Sequence, residues 1–100
     1  MPAGVLVGVL RVVLHLPEGG SLKAKRQVVS GLLRQVRNQF GVAAAEVGSS
    51  DLWQLAEIAV ACVSNDARHA DEVLARVLRF FEDRSRDAVV SDVSTELLRL

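Results

Sequence analysis

Lys23, Arg26, Ser30, Arg34 and Arg37 follow one another at steps of three, four, four and three residues. In a helix these positions fall within about 80° of arc and form a ridge about 21 Å long. Such a ridge can neutralise the phosphates of a polyanion. No acid lies between Glu18 and Glu46 to offset it. Like charges one turn apart disfavour an isolated helix by about 0.2–0.5 kcal/mol per pair. The ridge is thus mildly unfavourable for folding alone and suited to an anionic partner. The competing reading is a solvated face, paired across to Asp71, Glu72 and Glu82 of a second helix. No aromatic residue interleaves with the four cations, so base stacking on the ridge itself is not expected.

The ridge stands out because the chain as a whole is neutral. It has 12 basic and 12 acidic residues in 100. Residues 1–45 carry six basic residues against one acid, a net of +5, and residues 46–100 carry six against eleven, a net of −5. Half the residues are hydrophobic and 24% are charged, the composition of an ordinary globular domain. The length suits one domain over residues 1–100. The apolar run at the N-terminus is broken by Arg11 and is too short to span a bilayer. It lacks a basic start, so no signal peptide is expected. Cys62 is the only cysteine, which excludes an internal disulfide and makes the cytoplasm the expected compartment.

Six elements must position these residues. Residues 5–16 alternate as a strand, with Leu6, Gly8, Leu10, Val12, Leu14 and Leu16 on one face. Its other face shows Val5, Val7, Val9, Arg11, Val13 and His15. The segment "PEGG" breaks the strand. Ser21 is a good N-cap for a helix over 22–38 that ends near Gly41. Its apolar stripe is Leu22, Val29, Leu32, Leu33, Val36 and Phe40. Gly31 in mid-helix costs about 1 kcal/mol against alanine and suggests close packing on a sheet. A weak strand over 42–47, the loop "GSSD" and an apolar strand over 53–63 follow. A second helix over 66–83 buries Ala70, Val73, Leu74, Val77, Phe80 and Phe81. Residues 88–98 alternate, with Val89, Val93, Thr95 and Leu97 expected inward and Asp92, Ser94 and Glu96 outward, as on an edge strand with one wet face.

The order β-α-β-β-α-β predicts an α+β, ferredoxin-like sandwich. Right-handed crossovers give a four-stranded antiparallel sheet of order 4-1-3-2, with two helices on one face. The first and third strands become central, and they are the most apolar.

That topology leaves Val5, Val7, Val9, Arg11, Val13 and His15 on an open sheet face. An aliphatic open face marks a protein interface, here a homodimer or other homo-oligomer. Arg11 and His15 are expected to pair with Asp92 and Glu96 across the strands. The open face of the first strand lacks the aromatics on which RNA-recognition sheets stack bases. Trp53 is expected to cover the edge of the core. "SNDARH" is read as a helix cap, and Cys62 as a small buried hydrophobe. His15, His69 and Cys62 lack ligand spacing, so no metal and no cofactor are expected. There is no Gly-rich phosphate loop ending in GK[ST], no nucleophile elbow and no CxxC pair, so no enzymatic activity is expected.

The runs "LRVVLHLPEGGSLKAKRQVVSGLLRQVRNQF", "VAAAEV", "DLW", "ACVSND" and "VLRFFE" resemble, in this order, the bacterial YlxP-like family, domain of unknown function 503. Ala24 and Leu55 depart from that pattern, where Glu and Arg are common. The resemblance implies a ferredoxin-like fold. It brings no catalytic residues. The genes of the family often neighbour those for translation initiation factors and ribosome-binding factor A. The resemblance therefore implies RNA or a ribosomal subunit as the anionic partner, and the helical spacing offers Lys23, Arg26, Arg34 and Arg37 as the residues to bind it.

Overall fold

The computed structural model describes residues 4–16, 20–49, 51–84, 86 and 88–100. Residues 17–19 of the "PEGG" break and residue 50 of the "GSSD" loop lie outside them. The elements are β1 (Leu6–His15), α1 (Leu22–Phe40), β2 (Ala43–Gly48), β3 (Leu55–Ser64), α2 (Ala67–Glu82) and β4 (Val89–Arg99). The sheet is antiparallel with order β2-β3-β1-β4, the expected order read from the other edge. The fold is the ferredoxin-like α+β sandwich that the sequence predicts.

Local chemistry sets the helix ends. Ser21 Oγ accepts from the Ala24 amide at 3.0 Å and caps α1. Gly41 closes it in the left-handed conformation, φ 64°, which glycine adopts without penalty. Asp66 caps α2 by accepting from the Arg68 amide at 3.0 Å, the structural role expected of "SNDARH".

Alternation puts Leu10, Val12 and Leu14 of β1 beside Val60, Ile58 and Ala56 of β3 on the helix-covered face. Val29, Leu32, Leu33 and Val36 of α1 and Val73, Leu74, Val77, Phe80 and Phe81 of α2 complete the core. Cys62 is buried there as expected. Gly8 allows α2 its close approach. A Cβ at that position would lie 3.0 Å from Leu74 Cδ1 and 3.3 Å from Ala70 Cβ. Gly31 has no such role, since an added Cβ would meet nothing within 4 Å. The expectation that it packs on the sheet is corrected.

β4 departs from its reading in two ways. A bulge between Val13 and Leu14 shifts its register, so that Leu14 faces Val90 and His15 faces Val89. Val89 therefore turns to the open face, and Val90 packs against the core instead. Val93, Thr95 and Leu97 do lie opposite Val12, Leu10 and Gly8 on the helix side. They are not sealed: Val93 is 37% exposed, Thr95 is exposed and Leu97 is half-buried. β4 is therefore wet on both faces along much of its length.

Candidate nucleic-acid interface

Lys25 organises the first turn of α1. Its position falls inside the apolar stripe, between Leu22 and Val29, and its side chain is fully buried. The ammonium donates to Ser49 O at 2.5 Å and to Leu52 O at 2.7 Å, and lies 2.9 Å from Glu46 Oε2. One buried lysine thus ties α1 to Glu46 near the end of β2 and to Ser49 and Leu52 beyond it. By composition Lys25 is only one more positive charge of this segment. Its place in the stripe was the available signal.

The other cations of α1 point elsewhere. Lys23, Arg26 and Arg34 are exposed and line one open depression with Gln27 and Ser30. Among the described residues, no carboxylate lies within ion-pairing distance of them. The expected pairing with Asp71, Glu72 and Glu82 is absent from those ion pairs. The cause is which flank of α1 meets α2. Arg84, just beyond α2, shares a hollow with Val28, Gly31, Leu32 and Gln35 of α1. It donates to Phe80 O at 3.0 Å and stacks 3.5 Å over the Phe80 ring. The ridge lies on the other side of the buried stripe, toward β2.

Arg37 reports that direction. Its Nε and Nη2 both donate to Ala44 O in β2, at 3.0 and 2.6 Å. The fork occupies a carbonyl of the edge strand and so blunts that edge. Arg37 therefore stands apart from the depression shared by Lys23, Arg26 and Arg34, with part of its hydrogen-bonding capacity already engaged.

The open sheet face has two halves. Val7, Val9 and Val13 are half-buried, Val5 and His15 are exposed, and Val63 is 72% exposed. Val9 borders a shallow hollow of small side chains, Ala43, Ala45, Ala59 and Ala61. Arg11 sits between two carboxylates, with Nη2 3.1 Å from Glu57 Oε1 and Nη1 3.4 Å from Asp92 Oδ2. Asp92 was an expected partner, whereas Glu57 takes the place expected for Glu96. Both carboxylates stand opposite Val13, diagonal to Arg11, while Glu96 stands opposite Val9. Gly48 leaves room for Glu57, whose Oε2 lies 2.5 Å from where a Cβ would be. The two acids balance Arg11, so the centre of this face offers no unopposed cation.

Trp53 is 41% exposed and stands outside the core, against the expectation that it covers the core edge. Among the described residues, no three His, Cys, Asp or Glu side chains gather as a metal site requires. No described helix is long and apolar enough to cross a membrane.

Residues 7–95 match a family described as "Protein of unknown function (DUF503)". The chain is 38% identical over 65 residues to "Uncharacterized protein YlxP" of Bacillus subtilis (strain 168), covering 65% of this chain and 71% of that protein. The fold is similar to that of a de novo designed protein, Foldit4, at TM-score 0.52 and 14% identity, over 94% of this chain and 96% of that one. It is also similar to part of the VAO-type flavoprotein MtVAO615 from Myceliophthora thermophila C1, at TM-score 0.57 and 13% identity, over 96% of this chain and 16% of that one. At these identities the two structures speak to the fold alone.

Proposed function

The chain belongs to the DUF503 family, and we propose that it is a small non-enzymatic binding domain that holds an RNA-containing partner on the ridge of α1. One observation supports this reading above the others. Lys23, Arg26 and Arg34 are exposed around one depression, with no carboxylate of the described residues paired to them. Unopposed cations along one helix flank suit a phosphate backbone, where each contact releases counterions. The ribosome is the RNA-containing assembly to test, given the gene neighbourhood of the family. Co-sedimentation with ribosomal subunits across a salt series is the experiment. Binding should weaken steeply as salt rises, whereas absent or salt-insensitive binding would remove the basis of the proposal.

A second reading has its own observation. The alanine hollow beside Val9, with exposed Val63 next to it, is an apolar surface suited to a second copy of the chain. In that reading the sheet face mediates assembly and the ridge only solubilises. Sedimentation at roughly micromolar concentrations and above would populate contacts of about 8 kcal/mol. A salt-insensitive dimer with no RNA binding would favour this reading, and a clean monomer would dismiss it.

A further inference from the structure

We propose that Trp53 extends the ridge into a site for single-stranded RNA, with the indole stacking one base while Lys23, Arg26 and Arg34 neutralise the phosphates beyond it. This rests on the ridge reading and adds to it the form of the nucleic acid.

Trp53 is exposed, yet the backbone on both sides of it is fixed. Leu52 O, on the peptide that joins Leu52 to Trp53, accepts from the buried Lys25 ammonium at 2.7 Å. Gln54 O, on the other side, accepts from the Leu16 amide at 2.8 Å. The Leu52 amide donates to Ser49 O at 3.1 Å, which closes the turn. An aromatic ring on a loop held this way loses little further freedom when a ligand stacks on it.

Lys25 also supplies the placement. It stands in α1 between Lys23 and Arg26, and its side chain reaches the carbonyl that precedes Trp53. The loop of Trp53 therefore lies against the first turn of α1, the end of the helix at which the ridge begins. The loop leaves the sheet from β2, and the ridge faces β2, as the Arg37–Ala44 contact shows. The cations from Lys23 to Arg34 then run for about 17 Å along the helix.

The chemistry selects the ligand. An exposed indole beside exposed Leu52 offers a base an apolar face. Asp51 in the same loop disfavours a phosphate there. Base–aromatic stacking combined with a basic track is how single strands are held without sequence readout. A duplex keeps its base faces stacked on each other and cannot offer one to Trp53.

The protein has one tryptophan and no tyrosine, so its tryptophan emission reports Trp53 alone. The test titrates the whole chain with oligouridylate, with duplex RNA and with inorganic polyphosphate. Oligouridylate should quench Trp53, whereas polyphosphate and duplex RNA should bind without quenching. Trp53→Leu should weaken oligouridylate binding about 5- to 150-fold, the equivalent of about 1–3 kcal/mol per stacked base, and leave polyphosphate binding unchanged. Trp53→Phe should retain most of the affinity. If Trp53→Leu does not fold, the quenching of the parent by oligouridylate still decides the matter. Salt-dependent oligouridylate binding with no quenching, or with no loss in a folded Trp53→Leu, overturns the stacking site and leaves the ridge standing. If neither RNA nor polyphosphate binds, the ridge reading fails and this inference fails with it.

Discussion

The Lys25 ammonium lies 2.9 Å from Glu46 Oε2, and the lysine side chain has no exposed surface. That carboxylate oxygen is itself sealed from solvent and, among the described residues, accepts no hydrogen bond, so the ion pair alone offsets its burial. An ammonium has three donors. Lys25 donates to Ser49 O and Leu52 O and meets Glu46 as an ion pair. Removing one member of a buried pair leaves the other charge uncompensated. Lys25→Met should therefore lower the unfolding free energy by about 3–5 kcal/mol in urea denaturation. Adding Glu46→Leu should recover much of the loss. Trp53 emission should shift to the red in Lys25→Met, because the loop loses its anchor. A Lys25→Met protein as stable as the parent would show that the pair contributes nothing.

Arg26 and Arg34 are exposed and lie off the buried stripe of α1. Reversing both to Glu should leave the thermal midpoint nearly unchanged and abolish binding to RNA or ribosomal subunits. Each single neutralisation should lower the salt slope by about 0.7, the value per phosphate on a single strand. Arg99→Glu, outside the ridge, is the control and should do little. If the double reversal binds as the parent does, the ridge is a solvated face.

Arg37 and Arg34 should separate in experiment. Arg37 holds Ala44 O with two donors, whereas Arg34 has no carboxylate among the described residues within pairing distance. Arg37→Ala should cost about 1.5 kcal/mol of stability, the low end of the range for a hydrogen bond involving a charged group, because the side chain is exposed. Arg34→Ala should leave stability near the parent value and should weaken RNA binding more. Equal effects of the two on both readouts would contradict the division of roles.

Gly8 of β1 and Gly31 of α1 should respond in opposite directions. Gly31→Ala adds a methyl to open space in mid-helix and should stabilise by about 1 kcal/mol. Gly8→Val drives branched carbons against Leu74 and Ala70 and should destabilise by about 1–3 kcal/mol. Thermal unfolding of the two variants checks both, and a stabilised Gly8→Val would show that α2 can withdraw from β1.

The sequence by itself determined the six elements and their order, because burial in a strand or helix repeats at a local period. Leu10 and Leu14 alternate with Arg11 and Val13, and Val29 and Val36 recur at helical spacing, so each element could be read without its neighbours. The position of the basic ridge was legible for the same reason, since one helix fixes the relative directions of its own residues. The tertiary structure decided what each charge meets. Lys25 is buried because Glu46, Ser49 and Leu52, distant in sequence, place three oxygens at the end of its stem. Arg11 pairs with Glu57 because strand register, and the room left by Gly48, bring that carboxylate to it. Val89 changes face because one bulge inverts the alternation beyond it. Trp53 stays exposed on a fixed loop because the groups that hold the loop come from α1 and from Leu16. Local periodicity carries no information about which distant atom ends a side chain's reach, and that information is what turns a charged helix into a candidate site.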